Sequence, residues 1–301
     1  MNAPKLRFKE FNDEYINLKY KDVLKIKSGK DQKKVECESG IYPILGTGGQ
    51  IGKTNSFLYD KPSVLIGRKG TINKPQYMET PFWTVDTLFY SHIYEPNIPK
   101  YLFYSFQNVN WKKYDESTGV PSLSSSTIES VECNIPSKEE QLKVADFLSL
   151  LDKKIELQSK KIEDLKLFKK GLSTTIFNSL RDFEEYKLGK ICNITTGKLD
   201  ANATIDNGKY RFYTCAKEYS LIDKYAFDTE ALLISGNGAY VGYIHYYKGK
   251  FNAYQRTYVL DNFSQNIQFI KCYLEENLAK RINSEKKEIL LTLYYQLCRI
   301  W

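Results

Sequence analysis

Histidine is nearly missing from this sequence: His92 and His245 are the only two in 301 residues. Neither lies in a triad or a metal-binding signature. There is no Pro-Pro dipeptide, so the Asn/Asp-Pro-Pro-aromatic motif of a self-sufficient adenine methyltransferase is absent. The nearest approach, Asn134-Ile135-Pro136-Ser137, lacks the second proline and the aromatic. Cysteine is scattered over Cys37, Cys133, Cys192, Cys215, Cys272 and Cys298, with no Cys-x-x-Cys pair. That spacing argues against zinc, and a chain this long needs no disulfide framework. No run reaches about 18 apolar residues, so no spanning helix is expected. The charged start, Met1 to Phe11, lacks the apolar stretch of a secretory signal. A cytoplasmic chain with reduced thiols is the simplest account, and the missing motifs point away from an enzyme.

Aromatic residues are plentiful. With 24 Tyr, 16 Phe and 3 Trp, and 42% hydrophobic residues overall, the chain can bury two cores. Basic residues outnumber acidic ones by 44 to 36, a formal net charge of +8. That excess permits a polyanionic partner without requiring one.

The chain repeats itself. Tyr20-Lys21 returns as Tyr186-Lys187, Ser28-Gly29-Lys30 as Thr196-Gly197-Lys198, and Gly40-Ile41-Tyr42 as Gly208-Lys209-Tyr210. Val64 to Gly70 answers to Leu232 to Gly238, Phe82 to Phe251, Asn97-Ile98 to Asn266-Ile267, and Tyr104 to Tyr273. The offset drifts only from 166 to 169, so the matches lie on one alignment. Each copy has short β-rich runs broken by Gly, Pro, Asn and Asp. Val64–Ile66, Leu232–Ile234 and Thr84–Tyr90 read as strands, while Pro99–Gln107 and Gln268–Arg281 read as helices. Both copies are therefore expected to be α+β modules.

Between the copies the pattern changes to helical. Pro136 ends a strand, and Ser137-Lys138-Glu139-Glu140 fits a capping box. From there to Leu180 there is no proline and one glycine, Gly171. Leu148, Leu151, Ile155, Ile162, Leu165, Phe168, Leu172 and Ile176 keep three-and-four spacing, with Gln158 at the skipped place. Some 43 residues at 1.5 Å each make a helix of roughly 64 Å. Its apolar stripe needs a second helix, and the heptad-like spacing predicts a coiled coil.

Gly46 to Thr54 has the look of a phosphate-binding P-loop, but Thr47 stands where that motif needs glycine. Pro62 also follows too soon for the required helix, and the second copy, Thr214 to Glu218, has no trace of the motif. A glycine-rich turn in a β-rich domain is the better reading. Nucleic-acid binding accounts for more of the residues. Arg suits guanine, Gln and Asn suit adenine, and loop lysines suit phosphates. In copy one the base-reading candidates are Arg68, Gln50 and Asn73, with Lys53, Lys69, Lys74, Lys112 and Lys113 for the backbone. In copy two they are Asn237, Gln255 and Arg256, with Lys217, Lys248 and Lys250 for the backbone.

Two β-rich copies joined to a long helix resemble the specificity subunit of type I restriction–modification systems. The resemblance is carried by Ser117 to Ser124, Ile135 to Gln141, Leu148 to Asp152, Ile155, Lys169 to Leu172, Ile66 to Gly70 and Phe82 to Thr87. It covers residues from about 15 to 285. It implies target recognition domains over 1–136 and 182–288, with a spacer helix over 137–181. Each domain would read one half of a split target in double-stranded DNA, and the helix would act as a ruler. The chain itself would have no catalytic activity and no cofactor. Methyltransferase subunits would bring S-adenosylmethionine, and motor–nuclease subunits would bring ATP and magnesium.

The second copy departs from this pattern. Copy one continues some 76 residues beyond Tyr104, copy two only 28 beyond Tyr273. Residues 289–301 are abruptly apolar and match neither Ser117 to Ser124 nor Ile135 to Gln141. The expectation is a truncation or frame shift that removes the second helix. The stripe from Leu148 to Ile176 would then pair with another subunit, or with a second copy in a self-dimerising half-subunit or non-functional remnant.

Overall fold

The computed structural model describes residues 4–179, 184–285 and 297–300. The chain divides into two compact units, Met1–Ser159 and Lys160–Trp301.

In the first unit β1 (Ile16–Lys19) leads through a single turn, α1 (Tyr20–Val23), into β2 (Leu24–Ser28). The hairpin β3 (Tyr42–Gly46) and β4 (Gly49–Thr54) turns on Thr47-Gly48. There follow β5 (Ser63–Gly67), β6 (Gln76–Met78), β7 (Trp83–Thr84), β8 (Leu88–Ile93), α2 (Pro99–Gln107), α3 (Ser125–Ser130) and β9 (Glu132–Ile135). One sheet has the order β2-β8-β5-β6 and a second β4-β3-β7, while β1 pairs with β9. β5 is buried along its whole length, as expected of a short apolar run flanked by strands. Tyr20, Phe106 and Trp111 pack ring against ring in the main core, and Leu45, Leu65, Phe82 and Leu88 form a smaller one.

The helix α4 (Lys138–Ser179) follows β9 after two residues. Only half of the expected capping box is made. Ser137 Oγ accepts from the Glu140 N–H at 3.3 Å. The Glu140 carboxylate does not return to the cap; it takes Arg7 Nε and Nη2, both at 2.7 Å, and Tyr15 Oη at 2.9 Å. Beside it, Gln141 accepts from the Ile98 N–H and donates to the Pro136 carbonyl. Two buried polar side chains thus seat the start of α4 on the first unit.

The second unit contains β10 (Glu184–Lys187), β11 (Asn193–Thr196), β12 (Tyr210–Tyr213), β13 (Ser220–Ile222), β14 (Phe227–Ser235), β15 (Ile244–Ala253) and β16 (Thr257–Asp261). The helix α5 (Ile267–Glu285) and β17 (Leu297–Ile300) complete it. The six-stranded sheet runs β11-β16-β14-β15-β12-β13. Phe177 of α4 packs edge-on against Phe269 and Tyr273 of α5, within this unit.

The repeat seen in the sequence is a repeat of topology. In each copy one parallel pair interrupts antiparallel neighbours: Ile44↔Trp83 and Leu45↔Thr84 in the first, Phe212↔Asn252 and Tyr213↔Ala253 in the second. The long β15 does the work of both β6 and β7, which Pro81 and its neighbours hold apart. Two local expectations change. Thr84–Tyr90 is not one strand, because the chain turns at Val85–Thr87, with Leu88 N–H bonded to the Val85 carbonyl at 3.0 Å. The tail also contributes a strand. β17 pairs with β10 as β9 pairs with β1, so Cys298-Arg299-Ile300 takes the place of Cys133-Asn134-Ile135. Residues 286–296 and Trp301, which carry the rest of that tail, lie outside the described residues.

Candidate nucleic-acid interface

Three turns meet in each unit. In the first unit, the turn after β5 carries Arg68 and Lys69. Arg68 N–H donates to the Thr87 carbonyl at 2.7 Å, and Leu123 N–H to the Arg68 carbonyl at 2.9 Å, so the backbone is clamped from both sides. Gly70 ends the turn with φ of 87°, a conformation that costs glycine little. A Cβ placed on it would stand 3.8 Å from Thr47 Oγ1, which puts the β3–β4 tip alongside. The third turn, Val85–Thr87, joins through Val85 N–H to the Leu45 carbonyl at 3.1 Å. Arg68 Nη1 reaches the Asp86 carbonyl only at 3.5 Å, so its guanidinium keeps its donors for a ligand.

The second unit repeats this arrangement. Gly236 N–H donates to the Arg256 carbonyl at 2.8 Å, as Arg68 does to Thr87, and Gly238 has φ of 78°. Asn237 therefore stands where Lys69 stands, and Gln255 and Arg256 stand where Asp86 and Thr87 stand. Tyr254 N–H reaches the Tyr213 carbonyl at 2.9 Å, and Cys215 Sγ reaches the Arg256 carbonyl at 3.3 Å. Lys217 Nζ lies 5.2 Å from the centre of the Tyr240 ring, a cation–π contact across two of the turns.

The candidates divide accordingly. Arg68, Lys69 and Gln50 lie together around the first unit's turns, all exposed. Asn73 and Lys74 are exposed on the segment between Gly70 and Gln76, whose Nε2 donates to the Gly46 carbonyl at 2.8 Å. Lys53 lies down β4, opposite Pro43, and is not part of this group. Lys112 and Lys113 are exposed on a single 3-10 turn, Trp111–Tyr114, which Trp111 pins into the core. In the second unit Lys217, Asn237, Gln255 and Arg256 come together. Lys248 and Lys250 do not: they face Glu230 and Asp228 across β14 and β15, and Lys248 is ion-paired with Glu230 at 3.2 Å.

Two features of the surface leave little trace in the sequence. The turn Val85–Thr87 was hidden inside an apparent strand, although exposed Asp86 holds the place of Gln255. The segment Asp115–Ser122 also docks on the Arg68 turn, with Gly70 N–H bonded to the Pro121 carbonyl at 2.8 Å. Its two carboxylates are exposed but already hydrogen-bonded to nearby hydroxyl and N–H groups. Asp115 accepts from the N–H groups of Ser122 and Ser117 and from the Ser117 hydroxyl, which holds its pKa below the usual carboxylate range. Glu116 is lowered likewise by the Thr127 and Ser124 hydroxyls. The loop therefore presents Thr118, Gly119 and Val120 outward beside Arg68 and Lys69, with its acidic groups engaged internally.

Both histidines are held in packing contacts. His92 Nδ1 lies 3.0 Å from Tyr59 Oη, and His245 Nε2 donates to the Ala216 carbonyl at 2.9 Å. Burial pushes the His245 imidazole below its ordinary pKa. On α4, Leu151, Ile155, Ile162, Leu165, Phe168, Leu172 and Ile176 are exposed, Phe168 by 68%, and Leu148 is half-buried. Among the described residues no helix is long and apolar enough to cross a membrane.

Comparison with known proteins fits these observations. A family model described as the type I restriction modification DNA specificity domain matches residues 12–167 and again 181–289. The type I restriction enzyme EcoDI specificity subunit of Escherichia coli is 46% identical over 99 residues, 33% of this chain and 22% of that protein. The chain thus matches about a fifth of that relative's length. A type I restriction–modification S subunit from M. genitalium superposes with a TM-score of 0.72 at 18% identity, over 95% of this chain and 84% of that one. A structure from work on assembly and conformational transition of the type I R-M system gives 0.52 at 12%, over 97% and 87%. At such identities the likeness shows the fold.

Proposed function

The chain belongs to the type I restriction–modification DNA specificity family, and from that premise we propose that it is the sequence-reading subunit of a DNA modification complex. The observation that carries this reading is the recurrence of one three-turn surface in both units, with different polar side chains at matching places. Lys69 answers to Asn237, and Asp86 to Gln255. A shared scaffold with unlike readers suits a target with two unlike halves. Arg68 and Arg256 offer bidentate donors for guanine, and Gln50, Asn73, Asn237 and Gln255 offer the donor–acceptor pair that adenine requires. Lys69, Lys74, Lys112, Lys113 and Lys217 hold the phosphates, while Lys53 and the ion-paired Lys248 lie off this surface.

In this reading the domains are 1–136 and 182–288, and α4, within 137–181, sets the spacing between half-sites. Its exposed stripe receives the partner helices. Methyltransferase subunits carrying S-adenosylmethionine, and motor–nuclease subunits using ATP and magnesium, supply the chemistry in the cytoplasm. This chain supplies the address.

The test is co-expression with the methyltransferase partner in a host free of other adenine methylation, followed by modification-sensitive sequencing. A split, asymmetric motif is the expected result. A palindromic motif would mean that the first unit is used twice, through chains paired along α4. No methylation with an intact partner would overturn the reading.

A further inference from the structure

A groove of about 470 Å³ opens on the second unit beside β12 and β15, lined by none of Asn237, Gln255 and Arg256. Arg211, which lies outside the three turns, is among the residues that line it. The guanidinium carbon lies 4.3 Å from the centre of the Tyr219 ring and 4.6 Å from that of Tyr247. Nη1 donates to Tyr213 Oη at 3.4 Å. Two rings and one hydroxyl thus hold the planar fork in place, and most of its five N–H donors remain for a ligand. Lys209 and Lys250 line the same groove, with Lys250 Nζ 4.7 Å from the centre of the Tyr225 ring. One carboxylate, Asp228, also lines it. Three cations therefore face a single anion, and among the described residues no ion pair joins Arg211, Lys209 or Lys250 to a carboxylate.

A fixed, uncompensated guanidinium flanked by lysines is built for an oxyanion that accepts two parallel N–H bonds. Tyr219 and Tyr247 already hold Arg211 by cation–π contact, so a base stacking on those faces would have to displace the guanidinium. That chemistry suits a phosphate better than a base edge. Its volume falls in the lower part of the roughly 300–1,000 Å³ range of small-ligand sites. In the first unit Pro43 and Met78 hold the places of Arg211 and Tyr247, as the matching β-registers show, so no counterpart exists there.

We propose that this groove is a phosphate subsite, centred on Arg211, that grips a backbone phosphodiester of the DNA read by the second unit. The proposal rests on the DNA-reading function above. The experiment uses the full chain and fluorescence anisotropy on target and random duplexes from low to high salt. Arg211→Gln should weaken binding to every duplex, leave base preference intact, and lower the slope of log K against log salt by about one. Lys250→Gln, at an exposed position, should lower the slope likewise with no risk to folding. Arg211→Lys should keep the slope and lose part of the affinity, because the charge remains and the fork does not. Unchanged slopes in both Arg211→Gln and Lys250→Gln, while the wild type still prefers its target, would overturn the subsite and spare the reading function. A wild type that binds no duplex even at low salt would overturn both. Inorganic phosphate, followed by ³¹P line broadening, separates the sources. Broadening that Arg211→Gln abolishes, alongside unchanged DNA slopes, would assign the groove to small phosphates and refute the DNA assignment.

Discussion

Two glycines at matching places should make the two units separately breakable. A Cβ on Gly29 would stand 2.0 Å from the Val85 carbonyl oxygen, and one on Gly197 1.8 Å from that of Ala253. Carbon and carbonyl oxygen approach to about 3.3 Å, so Gly29→Ala and Gly197→Ala must push main chain apart by about 1.3 and 1.5 Å. The obstacle is backbone in both cases, and no rotamer change relieves it. Overpacking usually costs about 1–3 kcal/mol, and a hard backbone contact belongs at the upper end, about 3 kcal/mol. In a unit of about 150 residues that lowers Tm by roughly 6–12 °C. The displaced segments lead into the turns Val85–Thr87 and Tyr254–Arg256, so each variant should lose one half-site. Hydrogen–deuterium exchange should show Gly29→Ala loosening β2, β3 and β7, and Gly197→Ala loosening β11, β15 and β16. Methylation sequencing should show degeneracy in opposite halves of the motif. A Tm within about 1 °C of wild type for either variant would refute the close approach. Equal loosening of both units by one variant would refute their independence.

Four shorter predictions accompany it. Arg68→Ala should cost about 1–3 kcal/mol at one position of the first half-site and leave Tm unchanged, since its side chain makes only the 3.5 Å contact to Asp86; binding to single-base variants of the target checks it. Lys112→Ala should weaken all duplexes alike and lower the salt slope by about one, read by titrations at several salt concentrations. Burial lowers the His245 pKa below its unfolded value of about 6.5. The unfolded chain then takes up the proton first, so stability is full above that pH and falls as the solution is acidified below it; His245→Gln should flatten this dependence in thermal melts at pH 5.5–7.5. Ile155→Glu with Leu165→Glu should abolish co-purification with the methyltransferase partner, yet leave the chain's own melting unchanged, because both positions are exposed.

Periodic and repeated signals along the chain carry much of the fold. The helix α4 was legible because three-and-four spacing runs on without proline. The two copies were legible because matches such as Gly40 with Gly208 and Gly29 with Gly197 mark places where backbone approaches backbone, Gly40 against Thr54 and Gly208 against Ile222. A short turn inside an apolar run leaves no such signal. Val85 and Leu88 are buried on either side of exposed Asp86, and their apolarity masked the reversal. The last strand is nearly silent in the sequence for a related reason. Only Cys133-Asn134-Ile135 against Cys298-Arg299-Ile300 signals it, at an offset of 165 instead of 168, and two identities in three residues fall below notice until β1 and β10 supply their partners.

By itself the sequence determined the α+β class, the repeat, the long helix and the family, because all four rest on spacings along the chain. Only the tertiary structure decided which polar residues share a surface. It drew Arg68 toward Asp86 and Leu123, brought Lys217 to Tyr240, and left Lys248 beside Glu230 instead of with Arg256. Those neighbours are set by strand order and by the parallel pair in each unit, which join segments tens of residues apart and leave no local trace.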